Sequence, residues 1–317
     1  MKAVWKKIGK IALIVLISLL ALILLAWGGL NLVKFALYGE YYGAKENVCK
    51  NPGLGDGFVC QGIAVSEADG RIFVSGYMKD KSASRIYVTD FDSHSYYVEL
   101  EKANGKPFTG HAGGVAVTGD TLYIANGGKI YMLSVAEVLA AKEGDSISVG
   151  EGVEVNSAAS FVYTDEQYLY VGEFHDGENY TTDHPYQTAD GMYYAIIERY
   201  PINDLTAPDK VYAIRNKVQG ACFTPDGKVM LSTSYGLADS VYYIYNESDA
   251  TPSGEVLDGA PVYYLDNCER QFKGPAMGED LDWYDGKVIT LNESASDKYI
   301  FGKFFFANKI VALDISE

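Results

Sequence analysis

Past residue 60, apolar and polar positions alternate in bursts of roughly four to eight residues, each ended by a turn rich in Gly and Asp. That rhythm predicts strands. One unit recurs: a small-residue apolar strand, a tight turn, then a second strand. Its copies are GIAVSEADGRIFVSGY (62–77), GVAVTGDTLYIANG (114–127), SFVYTDEQYLYVGEF (160–174), ACFTPDGKVMLSTSY (221–235) and DLDWYDGKVITLNES (280–294). Aligned on the second strand, Val74, Ile124, Val171, Leu231 and Thr290 correspond, at intervals of 50, 47, 60 and 59 residues. Between the copies lie further strand-like runs: RIYVTDF (85–91), KIYMLSV (129–135), YYAIIERY (193–200), VYYIYN (241–246) and PVYYLDN (261–267).

About four strands per unit at this period predicts an all-β fold, a β-propeller. A single blade cannot bury both of its faces; a closed ring of blades buries them and leaves few open edges. Five units are visible, and six blades is the alternative should a weak unit escape the pattern. The fifth unit has three strands of its own, LDWYD, KVITLNE and KIVALDI. A strand from the segment before Cys60 is therefore expected to complete it. VAEVLAAK (135–142) predicts a turn or two of helix, and 175–191, polar and without period, predicts a long loop over the ring.

The N-terminus has a different pattern. Ile11–Trp27 is uncharged and strongly apolar, and Gly28–Val33 extends it. About 22 residues make about 33 Å of helix, enough to cross a bilayer. Lys2, Lys6, Lys7 and Lys10 precede the run, and the chain turns acidic after Lys34. The positive-inside rule then gives a cytoplasmic basic tail (1–10), a single membrane anchor (11–33), a juxtamembrane linker and ring-closing segment (34–59) and an extracytoplasmic propeller (60–317). A cleaved signal peptide is the rival reading; the long apolar run and Leu25-Ala26-Trp27, which lacks a small-x-small cleavage pattern, favour the anchor.

Composition narrows the partners. A net charge of −16, more negative still beyond the anchor, repels phosphate backbones and argues against nucleic acid. The 33 glycines and 26 tyrosines suit a turn-rich β fold. Of the four cysteines, Cys49 and Cys60 enclose a short Pro/Gly loop that a disulfide could staple. Cys222 reads as a buried thiol, and no C-x-x-C spacing points to a metal.

Three segments carry a resemblance. VQGACFTPDGKVMLSTSYG (218–236), GHAGGVAV (110–117) and PAMGEDLDWYDGKVITLNESASDKY (275–299) resemble a group of uncharacterised exported or membrane-anchored bacterial β-propellers. The resemblance implies the fold and the export, and brings no catalytic residues. More remotely, the unit is similar to gluconolactonase and paraoxonase-like propellers, which implies a Ca²⁺ or other divalent ion in the central tunnel.

In a propeller the first strand of each blade lines the axis, and the residues that begin those strands gather at one mouth. Here they are polar in every unit: Gln61, His111, Asn156, Gln219 and Glu279, with Asp280 beside it. Their amide and carboxylate oxygens suit a hard cation such as Ca²⁺, with Asn156, Gln219 and Glu279 as ligands, or a polyhydroxylated molecule. His111 beside Glu279 suits general base chemistry. The same residues would also serve to cap backbone groups and hold channel waters. At the ends of the second strands stand Asn126, Glu173, Thr233, Ser234, Asn292 and Glu293. Glu173 and His175, two apart, share one side of an extended chain and form a weaker metal pair, with His184 within reach in the long loop. STSYG is not G-x-S-x-G, so a serine hydrolase of that type is not expected. The expected roles are a membrane-held module binding a small molecule, glycan or envelope protein, a divalent-metal-dependent lactonase or esterase-like hydrolase, or a structural part of the envelope.

Overall fold

The computed structural model describes residues 2–300, 302 and 307–316. Past an N-terminal helix the chain forms a five-bladed β-propeller. Blade one comprises Phe58–Ser66, Arg71–Met78, Arg85–Thr89 and Ser95–Glu101. Blade two comprises Gly114–Thr118, Thr121–Asn126, Lys129–Ser134 and Val153–Glu154. Blade three comprises Phe161–Thr164, Tyr168–Gly172, Ala195–Pro201 and Lys210–Ile214, and blade four Val218–Phe223, Lys228–Thr233, Ser240–Asn246 and Cys268–Gly274. Blade five has Gly278–Tyr284, Lys287–Asn292 and Lys309–Leu313 from the end of the chain. Its outermost strand is Lys45–Lys50, paired antiparallel with Lys309–Leu313. The ring is thus closed by a strand from before Cys60, and the blades number five, not six.

Burial explains the two strand patterns. The first two strands of each blade are sandwiched between neighbouring blades and are buried on both faces, as in Lys228–Thr233. Outer strands alternate, as in Cys268–Gly274. The hydrophobic clusters therefore lie between blades. One joins blades one and two around Phe73 and Leu122, and another joins blades five and one around Phe58 and Leu291.

At the axis five strands crowd together, and glycine makes room. A Cβ on Gly62 would lie 2.4 Å from Val115 N, one on Gly114 2.5 Å from Val162 N, and one on Gly220 2.5 Å from Asp280 Cα. Each contact is with the next blade's backbone, so a side chain at any of the three would force blades apart.

PVYYLDN does not join blade four. Thr251–Leu257 and Ala260–Tyr264 form a hairpin inserted in that blade, and its second strand runs parallel to Lys210–Ile214 of blade three. Ser146–Ser148 pairs in the same parallel way with Ser95–Glu101, tying blade two to blade one. The short helix between them spans Val135–Ala140, with Ser134 as its N-cap.

The N-terminal helix runs Lys2–Ala44 with a kink at Tyr38 (φ −126°, ψ 33°), so the first part of the expected linker is helical. It is long and apolar enough to cross a membrane, and its apolar stretch is exposed. Its last turns dock on blade four. Tyr41 stacks on Tyr242 with ring centroids 5.9 Å apart, the Tyr38 hydroxyl donates to Asp239 at 2.8 Å, and Arg270 pairs with Glu40 at 2.5 Å. All four cysteines are free; Cys49 and Cys60 lie buried in different strands rather than bridged.

Candidate functional site

The starts of the inner strands and the ends of the second strands meet at one mouth, around a cavity of about 920 Å³. Every blade contributes. Blade one supplies Gln61 and Tyr77; blade two His111, Gly113 and Asn126; blade three Ala158–Ser160 and Phe174; blade four Gln219 and Ser234–Gly236; blade five Met277, Glu279 and Glu293. The long loop adds Asn179–Thr182, and Lys298 with Tyr299 closes the blade-five side.

Of the polar residues expected here, Gln61, His111, Gln219 and Glu279 do come together. Asn156 does not. It is exposed, its backbone N–H pointing to the Tyr200 hydroxyl at 3.5 Å, because the inner strand of blade three begins later than the repeat alignment implies. The cavity wall at that place is Ala158–Ser160. Asn156, Gln219 and Glu279 therefore do not form one ligand set, and among the described residues no group of three or more His, Cys, Asp or Glu side chains is placed to hold a metal ion.

Asp280 faces away from the cavity. Side chains alternate along a strand, so Asp280 and Asp282 share the side opposite Glu279. Their carboxyls reach the inner strand of blade one: Asp280 Oδ2 accepts from Ile63 N at 3.3 Å and Asp282 Oδ2 from Val65 N at 2.7 Å. These bonds help join the last blade to the first. Burial pushes the Asp280 carboxyl well above the usual range and that of Asp282 to about 7.

Glu173 and His175 are also committed elsewhere. Glu173 Oε1 accepts from Ala158 N at 3.0 Å, its Oε2 accepts from Ile196 N at 3.3 Å, and His184 Nδ1 stands 2.8 Å from the same oxygen. His175 Nδ1 accepts from Thr182 N at 3.0 Å, and its ring stacks on Tyr194. This cluster fixes the long loop behind the cavity wall. The hydrogen bond to Glu173 raises the His184 pKa above its ordinary value.

The titratable groups of the mouth gather at blade five. Glu279 is 2% exposed and lines the cavity. Among the described residues its carboxyl has no hydrogen-bond or salt-bridge partner; the charged groups acting on it are Glu293, Asp280 and Lys298. Burial, then repulsion from Glu293 and Asp280, pushes its pKa well up. Glu293 accepts from Gln61 Nε2 at 2.9 Å and bonds the Tyr299 hydroxyl, and burial pushes it up to about 7. Lys298 hydrogen-bonds the Tyr77 hydroxyl and lies over both the Tyr77 and Tyr299 rings. His111 meets Tyr77 edge-on at 4.9 Å between centroids; enclosure and the Lys298 charge lower its pKa, so it is neutral at pH 7. The cavity thus brings together two carboxyls whose pKa values are raised, an imidazole whose pKa is lowered, the Lys298 amine and several amides, framed by aromatic rings.

Sequence reasoning placed Glu293 only in a second tier and missed Lys298, Tyr299 and Tyr77. The ESASDKY segment was a visible signal for the first three, but a segment beyond a strand end has no period to show where it folds.

No family model and no curated protein sequence matches this chain. The exported-family resemblance thus rests on the segments quoted above. Among solved structures, glutaminyl cyclase from Myxococcus xanthus is similar at 9% identity and a TM-score of 0.48, over 86% of this chain and 97% of that one. The PQQ-bound aldose sugar dehydrogenase from Streptomyces coelicolor is similar at 14% and 0.44, over 78% and 76%. A gluconolactonase from Xanthomonas campestris is similar at 11% and 0.38, over 81% and 76%.

Proposed function

We propose that this chain is a membrane-anchored, extracytoplasmic propeller that binds a small polyhydroxylated molecule in its mouth cavity. One observation carries the reading: Glu279 is almost fully buried, its carboxyl has no hydrogen-bond or salt-bridge partner among the described residues, and it lines a cavity large enough for a small ligand. An unpartnered buried carboxyl is costly to the fold, and a site keeps such a group when a ligand completes it. A carboxyl that holds its proton donates and one that loses it accepts, and the amides of Gln61, Gln219, Asn126 and Asn179 can do either, which matches hydroxyls that both give and take hydrogen bonds. The aromatic rings supply flat apolar walls. The basic N-terminus and acidic ectodomain support export, with the N-terminus left in the cytoplasm.

A second reading has its own support. Two neighbouring carboxyls, one pushed well up and one near 7, are the pattern of a general acid and base. In that case the bound molecule would be cleaved as well as held, by Glu279 as acid and Glu293 as base.

The test is Glu279→Gln in the full chain, with mono- and disaccharides screened by thermal shift and calorimetry. The expected result is a free protein more stable by about 1 kcal/mol, since a buried acid gives way to an amide, with ligand affinity lowered at least ~10-fold. A variant that keeps every ligand-induced shift of the wild type sinks the proposal. Product formation by the wild type, lost in the variant, would favour catalysis.

A further inference from the structure

The N-terminal helix leaves the propeller at the mouth. Ala44 lies at the opposite, base end: its carbonyl accepts from Asp314 N, beside Leu313, which pairs with Val288 at the base-side start of its strand. Tyr38 lies at the mouth end, because its partner Asp239 directly precedes the strand Ser240–Asn246, whose first residues pair with Thr233 and Gly274. From Ala44 back to Tyr38 the helix therefore climbs the side of blade four from base to mouth. At Tyr38 the helix kinks (φ −126°, ψ 33°), and the segment on its N-terminal side is exposed and mostly apolar, with Leu37 and Phe35 uncovered up to the docking point. Tyr38 comes five residues after Val33, the end of the apolar run, a rise of about 7 Å of helix. A stalk that short holds the mouth close to any bilayer the helix enters.

The two faces of the ring differ accordingly. Each base turn carries an acid: Asp69, Asp120, Asp165, Asp226 and Asp285. The mouth rim carries several exposed apolar residues, Leu237 at 61%, Ile300 at 81%, Tyr180 at 48% and Tyr235 at 39%, beside the acid Glu178, whereas the base end shows Val256 at 68% on the inserted hairpin. Leu237 is two residues from Asp239, the anchor of Tyr38, and Ile300 follows the cavity residue Tyr299. Aliphatic and tyrosine side chains on one rim, next to a membrane helix, suit the headgroup boundary of a bilayer.

We propose that the mouth of the propeller rests on the bilayer that its own helix enters, with Leu237, Ile300, Tyr180 and Tyr235 seated among the headgroups. The partner is the phospholipid surface itself. The cavity then opens onto the membrane, and its ligand is the polar part of a molecule presented there. This rests on the anchor reading given above.

The test uses the full chain in phosphatidylcholine vesicles, in a Cys268→Ser background, with an environment-sensitive fluorophore on Leu237→Cys, on Ile300→Cys or, at a base turn, on Ala68→Cys. Retention through an alkaline carbonate wash reports the anchor. Quenching by lipids that carry a headgroup nitroxide reports the face. The expected result is retention, with emission at 237 and 300 reduced roughly twofold or more and emission at 68 unchanged. Retention with no quenching at 237 and 300, or with equal quenching at 68, overturns the membrane-facing mouth while leaving the anchor intact. Loss of the chain in the wash overturns both.

Discussion

Two carboxyl clusters border the mouth, Glu173 after the second strand of blade three, and Glu293 after the second strand of blade five with Glu279 at the start of its first, and they are built for opposite ends. Glu173 is buried with its oxygens shared among two backbone N–H groups and His184, so its charge is spent on holding a loop. Glu293 has Gln61 and Tyr299, sits beside a second acid, and opens to the cavity. The same residue type at similar places is structural where the backbone turns its amides inward, and chemically available where they are taken up elsewhere. Satisfied partners, rather than burial, separate the two.

The largest expected effect is at the satisfied cluster. Glu173→Ala leaves Ala158 N–H and Ile196 N–H unpaired and frees His184, at a cost of about 3 kcal/mol. Chemical denaturation measures it, and faster protease cutting within 175–191 would accompany it. If Glu173→Ala is as mild as Glu293→Gln, the contrast between the clusters is wrong.

A smaller effect, opposite in kind, is expected at blade five. The Glu293 pKa rises from an ordinary 4.5 to about 7 on folding, so the folded chain holds a proton that the unfolded chain releases. Its contribution is most favourable below pH 4.5 and is lost as pH rises to 7, by roughly 2 kcal/mol. Glu279, whose pKa is raised as well, adds a decline of the same sign. Stability of Glu293→Gln measured from pH 4.5 to 8 should fall less steeply than that of the wild type; parallel curves would show that Glu293 is not perturbed.

The smallest effect belongs to His184. Its raised pKa adds stability below 6.5 that is lost as pH climbs through the folded value. His184→Asn should cost about 1 kcal/mol at pH 6 and less at pH 8. A cost that grows with pH would mean that the pair with Glu173 is not charge-assisted.

Much of the ring was legible in the chain because strands buried on both faces leave continuous apolar runs, and turns between them need Gly at positive φ, as at Gly227 and Gly286. The missing strand of blade five could be inferred by counting, since an unclosed ring leaves an edge. The run PVYYLDN was legible as a strand but not its place, a hairpin with 251–257 that pairs with blade three, because a strand's own pattern does not say which blade it joins. Among site residues, Gln61, His111, Gln219 and Glu279 followed from the repeat, whereas Asn156 was lost to a shift of a few residues and Asp280 to alternation. Lys298 and Tyr299 lie in an aperiodic segment, where residue type alone gives no position.

The sequence by itself determined the apolar N-terminal helix, the repeated strand pairs and the polar character of the mouth, because these depend on local periodicity and residue type. Tertiary structure decided which carboxyls found backbone partners. It also decided that the helix docks along blade four and departs beside the cavity. Those outcomes depend on contacts between residues some 200 positions apart, such as Tyr38 with Asp239 and Ile63 with Asp280, and no local pattern encodes a contact at that range.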